Sequence, residues 1–109
     1  RSNGTQYSGA FGLERTLANS ATPSVKDGKD FVTGGTTTIT NFTDGYPGQE
    51  IFVRFAHTVT VDVTGTTLIG GTTDLSAASG DMMHWRTADG SNWYLQGFVD
   101  ASANNSAGA

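Results

Sequence analysis

From residue 31 to residue 99, apolar and polar positions follow the two-residue period of β-strands. Short runs of β-branched and aromatic residues are separated by turn residues, as in "KDGKD" and "TADGSN". This pattern is typical of consecutive antiparallel strands. Helical spacing is nearly absent, and "GLERTLA", residues 12 to 18, could form one or two helical turns at most. The sequence therefore predicts an all-β domain.

The strongest alternation begins within "NFTDGYPGQEIFVRF", residues 41 to 55, after a glycine and proline turn. Every second residue from position 51 to position 63 falls on one face of an extended chain. We predict that this face is the main core, on one bent strand or on two closely joined strands. Its members are Ile51, Val53, Phe55, His57, Val59, Val61 and Val63. Phe52 points the other way and is a candidate for contact with a second sheet or another subunit.

Further strands are predicted at "FVT", at "TTTITNF", around Leu68 and Ile69, and in a hairpin from Met82 to Val99 that turns at Asp89 and Gly90. In the hairpin, Trp85 and Trp93 have the alternation expected of core residues. Tyr94 alternates with Gln96 and Phe98, which favours exposure or a subunit contact for all three. The predicted architecture is a small antiparallel, jelly-roll-like β-sandwich.

The domain boundaries follow from composition. Residues 1 to 30 mix Gly, Ser and Asn with isolated apolar residues, which suits an irregular arm or linker. The predicted sandwich covers residues 31 to 99. Residues 100 to 109, "DASANNSAGA", are small and polar and are expected to form a flexible tail.

Charge narrows the range of partners. Ten acidic residues against six basic ones give the 109-residue chain a net charge of −4, and Lys and Arg do not cluster. Nucleic acid is therefore not an expected partner. Neither is a membrane, because no apolar run approaches the roughly 20 residues of a spanning helix. Charged residues make up 15% of the chain against about 25% in typical domains, so the surface should be neutral and rich in hydroxyl groups.

The sequence predicts no catalytic site, metal site or cofactor. His57 and His84 are the two histidines, and they lack the spacing of a zinc motif. Most acidic residues stand beside glycines or at strand ends, as turn residues do. No two of them form an evident pair of glycosidase carboxylates. Packing or hydrogen bonding accounts for both histidines more simply than chemistry does.

Residues 21 to 95 resemble the C-terminal β-domain of phage and prophage tail-spike proteins, which often follows a β-helix. The resemblance consists of an ordered series of short matches: "ATPSV", "TTITNFTDGYPGQEIFVRF", "TVTVD", "LIGGTTDL" and "SGDMMHWRTADGSNWYL". It implies a non-catalytic β-sandwich that helps three chains associate, located on the exterior of the virion. The same kind of domain could also serve as a capsid decoration protein.

Two functions follow as expectations. The first is a structural, trimer-forming module that contacts itself and other virion proteins, with Phe52, Tyr94 and Phe98 at the subunit interface. The alternative is a carbohydrate-binding module for a host surface polysaccharide. In that case Tyr46, Trp93 or Tyr94 would stack on sugar rings, and Arg54, Asn92 or Asp89 would contact hydroxyl groups.

Overall fold

The computed structural model describes residues 13 to 101 and contains eight β-strands in that range. In chain order the strands are β1 (Arg15–Thr16), β2 (Asp30–Val32), β3 (Glu50–Arg54), β4 (Val59–Val61), β5 (Leu68–Ile69), β6 (Leu75–Ala77), β7 (Met82–Thr87) and β8 (Trp93–Val99). The predicted all-β class is confirmed. The predicted tail from residue 102 onward and the first twelve residues of the predicted arm lie outside the described residues.

The strands form two sheets. The larger has six strands in the order β1-β2-β3-β7-β8-β5, and the smaller consists of β4 and β6. The two sheets share one hydrophobic core, as in a small β-sandwich. Pairing is antiparallel for β3 with β7, β7 with β8 and β4 with β6. It is parallel for β1 with β2, β2 with β3 and β5 with β8, so the large sheet is mixed and not purely antiparallel.

The predicted core positions between residues 51 and 63 lie inside the protein, with one exception. Six of the seven side chains are buried, whereas His57 is only partly buried and its Nδ1 lies 2.9 Å from the hydroxyl of Thr33. The chain ends β3 at Arg54 and enters the other sheet at Val59. The structure thus has the two-strand form of the prediction, and the two strands contribute to opposite layers of the same core.

The predicted hairpin is present as β7 and β8, but it contains an irregularity. The register shifts between His84 and Trp85: Trp85 pairs with Leu95, while His84 pairs with Gly97. Gln96 is therefore an extra residue in β8, which is the definition of a β-bulge. Beyond the bulge the alternation of β8 is reversed, so Phe98 faces the core and Val99 faces away from it.

Residues 13 to 30 are part of the domain and not a separate arm, contrary to the predicted boundary at residue 30. β1 adds an edge strand to the large sheet, and Asp30 already belongs to β2. Leu17 and Val25 are buried in the core. The weak helical candidate at residues 12 to 18 was wrong over its described part, because its central residues pair with Phe31 and Val32 in a parallel ladder.

The predicted strand "TTTITNF" is absent from the described structure as a regular element. Ile39 forms one isolated bridge with Val61, and the amides of Thr40 and Asn41 both donate to the carbonyl of Ala21. A shared acceptor of this kind bends the chain. As a result Ile39 and Phe42, three residues apart, both reach the core, which strict alternation would not allow.

A buried glutamine fastens the loop before β3 to the turn before β2. Gln49 has no exposed surface. Its Nε2 donates to the carbonyls of Val25 and Gly28 at 2.9 Å each, and its Oε1 accepts from the amide of Tyr46 at 3.2 Å. Three hydrogen bonds compensate for burying the amide. They set the position from which β3 starts.

Candidate functional site

The large sheet has one face in the core and one face directed outward. Met83, Trp85 and Trp93 are buried on the inner face, while their neighbours along the strands point to the opposite side. We call that opposite side the outer face. Its positions include Glu50, Phe52 and Arg54 on β3, Met82, His84 and Arg86 on β7, Tyr94 and Val99 on β8, and Ile69 on β5.

Two pairs of exposed apolar side chains lie on the outer face. Ile69 and Tyr94 are register partners on β5 and β8, and their exposed fractions are 42% and 45%. Met82 and Val99 are register partners on β7 and β8, with exposed fractions of 41% and 57%. Cross-strand partners on one face lie in contact distance of each other. Each pair therefore presents a continuous apolar area at one end of the outer face.

An aromatic pair lies beside these apolar areas, on β3 and β7. The rings of Phe52 and His84 stack with centroids 4.2 Å apart and planes 16° from parallel. The Nε2 of His84 also lies 2.8 Å from a carboxylate oxygen of Glu50. The ammonium group of Lys29 lies 5.7 Å from the centroid of Phe52, within cation–π range. These contacts cover part of the Phe52 ring, so Phe52 is only partly exposed.

Charged groups of both signs border the apolar areas. Arg54 makes a bidentate ion pair with Glu14, with nitrogen–oxygen distances of 2.9 and 2.8 Å. The hydrogen bonds from Arg54 hold the pKa of Glu14 below its ordinary value, and the same bonds raise the pKa of Arg54. Both side chains are well exposed, so the pair contributes little to folding stability. It fixes the orientation of the guanidinium at the surface.

The structure separates the three predicted interface residues. Phe52 and Tyr94 lie on the outer face. Phe98 does not: it packs against the core, because the bulge at Gln96 reverses the alternation of β8. Val99 takes the outward position that the sequence pattern assigned to Phe98. A signal for this was available, since Gly97 interrupts an otherwise regular strand and an internal glycine often marks a bulge.

The predicted sugar-contacting residues are also separated. Trp93 has no exposed surface, and its Nε1 donates to the carbonyl of Phe42 at 3.1 Å, so it cannot stack on a ligand in this fold. The guanidinium of Arg54 is held by Glu14. Tyr46, with 51% of its surface exposed, and Tyr94 remain accessible.

Two polar residues proposed for sugar contact serve a turn. One carboxylate oxygen of Asp89 accepts from the amides of Ser91 and Asn92, and the other accepts from the side chain of Asn92, all at 2.9 Å. These hydrogen bonds, led by that of the Asn92 amide, hold the pKa of Asp89 well below its ordinary range. Asp89 therefore closes the β7–β8 turn.

Within residues 13 to 101, no group of three or more His, Asp or Glu side chains is arranged to hold a metal ion. Over the same residues, no helix has the length and apolar character needed to cross a membrane.

The geometry thus defines an open sheet face with apolar, aromatic and charged side chains. Comparisons with protein families, with curated proteins and with solved structures gave no match to this chain. The class of protein therefore has to be inferred from the sequence pattern and from the outer face itself.

Proposed function

We propose that this chain is a non-catalytic assembly module of a phage exterior protein, either a tail spike or fibre or a capsid decoration protein, and that it joins three copies through the outer face of its large sheet. The observation that carries the proposal is the pairing of exposed apolar residues there, Ile69 with Tyr94 and Met82 with Val99. The phage context rests on the ordered sequence matches between residues 21 and 95.

The architecture supports the use of this face for protein contact. The two-stranded layer packs on the inner side of the six-stranded sheet, and within residues 13 to 101 no strand covers the outer face. Tyr, Phe and Met are enriched in protein interfaces. The stacked Phe52 and His84 are already fixed, which lowers the entropic cost of docking them.

The charges at the border of the outer face suit contact with a second copy of the chain. The outer face has acidic and basic groups at its border, Glu50 and Arg86 as register partners and Glu14 with Arg54 beside β3. A face with both signs can be matched by another part of the same surface. In a cyclic trimer each subunit presents two different patches, one to each neighbour. The two apolar pairs at opposite ends of β8 suit that arrangement.

The test is the mass of the native chain in solution, measured by light scattering over a dilution series. We expect a trimer for the unmodified chain and monomers for Tyr94→Asp and Val99→Asp, since each places a charge within an apolar pair. Tyr46→Asp is the comparison variant: it also adds a charge at an exposed tyrosine, but on the loop before β3 and not on a strand of the outer face, and should stay trimeric. Trimers that survive both outer-face substitutions, or a chain that is monomeric at every concentration, would contradict the proposal.

Carbohydrate binding is the second candidate, and the exposure of Tyr46 and Tyr94 is what favours it. Tyrosine variants distinguish the two functions. Under the assembly proposal Tyr46→Ala has no effect on the mass and no glycan binding is observed. Under the carbohydrate alternative, a glycan array gives a signal that Tyr46→Ala or Tyr94→Ala removes while the mass is unchanged.

A further inference from the structure

The two edges of the large sheet differ in how their backbone groups are used. β1 and β5 are its outermost strands within the described residues. On β5, the carbonyl of Thr67 accepts from the amide of Trp93 on β8, so the backbone groups of the next residue, Leu68, face outward. The amide of Leu68 donates to the side-chain hydroxyl of Thr66 at 3.2 Å. The Thr66 side chain therefore occupies the place that a further strand would need.

The edge at β1 is open. The amide of Leu17 donates to the carbonyl of Val32 at 2.8 Å, so Leu17 and Arg15 direct their backbone groups toward β2. Because this direction alternates along a strand, the amide and carbonyl of Thr16 face away from β2. Between residues 13 and 101 no strand lies beyond β1, and no loop or side chain bonds these two groups. Unpaired backbone groups at a sheet edge are a template for strand addition.

Two cations lie beside the open edge. Arg15 and Lys26 line one recess together with Thr16. The guanidinium of Arg15 donates to the carbonyl of Lys26, and its central carbon lies 5.3 Å from the centroid of the Phe31 ring, so two contacts hold it in place. In the part of the chain that the structure describes, neither Arg15 nor Lys26 forms an ion pair. The β1 edge is therefore locally basic in a chain of net charge −4.

We infer that the β1 edge binds an extended acidic segment of a partner protein as an added β-strand. The outward backbone groups of Thr16 select an extended polypeptide, and the two cations select carboxylate side chains. Because side chains alternate between the two faces of a sheet, every second residue of the segment lies on the side of Arg15. The expected partner segment therefore has Asp or Glu at alternate positions. This site is on the sheet edge, so it does not depend on the proposed trimer contact through the outer face.

The experiment measures the binding of labelled octapeptides by fluorescence anisotropy. The probe alternates Thr and Glu, and its binding should weaken as salt is raised. A peptide that alternates Thr and Gln lacks the carboxylates and should bind about tenfold more weakly. A peptide with the Thr and Glu residues in two blocks has the same charge without the alternation, and it should lose about as much. Equal binding of the alternating and the two-block peptides would overturn the strand assignment.

Methylation of the peptide backbone tests the hydrogen bonds directly. The amides of an added strand point alternately toward β1 and away from it. Methylating every Thr amide of the probe and methylating every Glu amide should therefore have different effects: one peptide loses binding and the other keeps it. Equal effects of the two methylations would overturn the pairing.

A proline at position 16 tests the same pairing from the side of the protein. Thr16→Pro removes the outward amide, which takes no part in pairing with β2, so the large sheet is retained. Binding of the Thr-Glu probe should fall about tenfold, as for the loss of one hydrogen bond. Thr16→Val keeps both the amide and the shape of the side chain, and it should bind like the unmodified chain.

Arg15→Gln tests the charge, and it should weaken binding and reduce its dependence on salt. A circular dichroism spectrum of each variant checks that the fold is retained. Undiminished binding by folded Thr16→Pro, or absence of binding by the unmodified chain, would overturn the site. None of these outcomes depends on the number of chains in the assembly.

Discussion

Phe98 of β8 lies opposite Met83 of β7 on the inner side of the large sheet, although simple alternation from Trp93 would place it outside. The reversal is produced by one extra residue, Gln96, at the bulge. This relationship decides which side chains stabilise the fold and which are available to a partner.

The first prediction concerns these two neighbouring positions. Phe98→Ala should lower the free energy of unfolding by about 2 kcal/mol, because a partly buried aromatic ring leaves the core. Val99→Ala should change it by less than about 0.5 kcal/mol, because Val99 is exposed. Urea denaturation measures both, in a Tyr94→Asp background where the proposed association cannot contribute. The opposite order of effects would show that the bulge is not present in solution.

The second prediction concerns Gln49. In Gln49→Glu a carboxylate oxygen replaces the amide that donates to Val25 and Gly28, so three oxygens face one another. We expect a loss of about 3 kcal/mol at neutral pH from the buried, unpaired charge. Burial raises the pKa of the new carboxyl above its unfolded value of about 4.3. The loss of folding stability should therefore be smallest below about pH 4.3 and should grow as the pH rises.

Gln49→Met is the control for that experiment. It removes the same hydrogen bonds without adding a titratable group, so its loss of stability should not depend on pH. Parallel pH profiles for the two variants would mean that the side chain at position 49 reaches water.

The third prediction compares the two buried tryptophans. The Nε1 of Trp93 donates to the carbonyl of Phe42, whereas the Nε1 of Trp85 is buried and makes no hydrogen bond within the described residues. Replacement by Phe removes a similar volume at both sites. Trp93→Phe should therefore be more destabilising by about 1 to 2 kcal/mol, because it also leaves a carbonyl unpaired. Chemical denaturation of the two variants tests the difference, and equal losses would contradict it.

The fourth prediction concerns acid stability at the β7–β8 turn. The lowered pKa of Asp89 means that its contribution is complete above the unfolded value of about 3.9 and is lost as pH falls toward the lower folded value. Asp89→Asn should thus be less stable than the unmodified chain at pH 7, with a difference that shrinks below about pH 4. The midpoint temperature, measured from pH 7 down to pH 2, reports this. A difference at Asp89 that stays constant over the range would contradict the assignment.

Local patterns in the sequence predicted the local parts of this fold. The alternation at Ile51 and Val53 identified β3 and its buried face, and the Asp89-Gly90 signal identified the β7–β8 turn. Both signals depend only on residues that are neighbours in the chain. Burial of Trp85 and Trp93 was likewise predicted from alternation before the bulge.

Non-local pairing could not be predicted in this way. Nothing in "GLERTLA" indicates that Arg15 and Thr16 pair in parallel with Phe31 and Val32, sixteen residues further along the chain. The predicted strand at residues 36 to 42 failed for a similar reason, since the Ala21 carbonyl that bends it comes from a distant segment. At the candidate site, the outward orientation of Tyr94 and Phe52 was predicted from alternation. The orientation of the other exposed apolar residues could be assigned only from the pairing register of three strands. These residues are Met82, Ile69 and Val99.

The order of strands in the large sheet also bears on how the chain folds. Its central neighbours β3 and β7 are separated along the chain by residues 55 to 81, which contain both strands of the small sheet. The pair can therefore form only by closing a long loop, and such closure costs entropy before any contact compensates for it. Parallel pairing of β5 with β8 adds a second distant closure. Refolding should accordingly take milliseconds to seconds, as in other small domains dominated by non-local β-pairing, and the exposed edge strands are vulnerable to misassociation during that time.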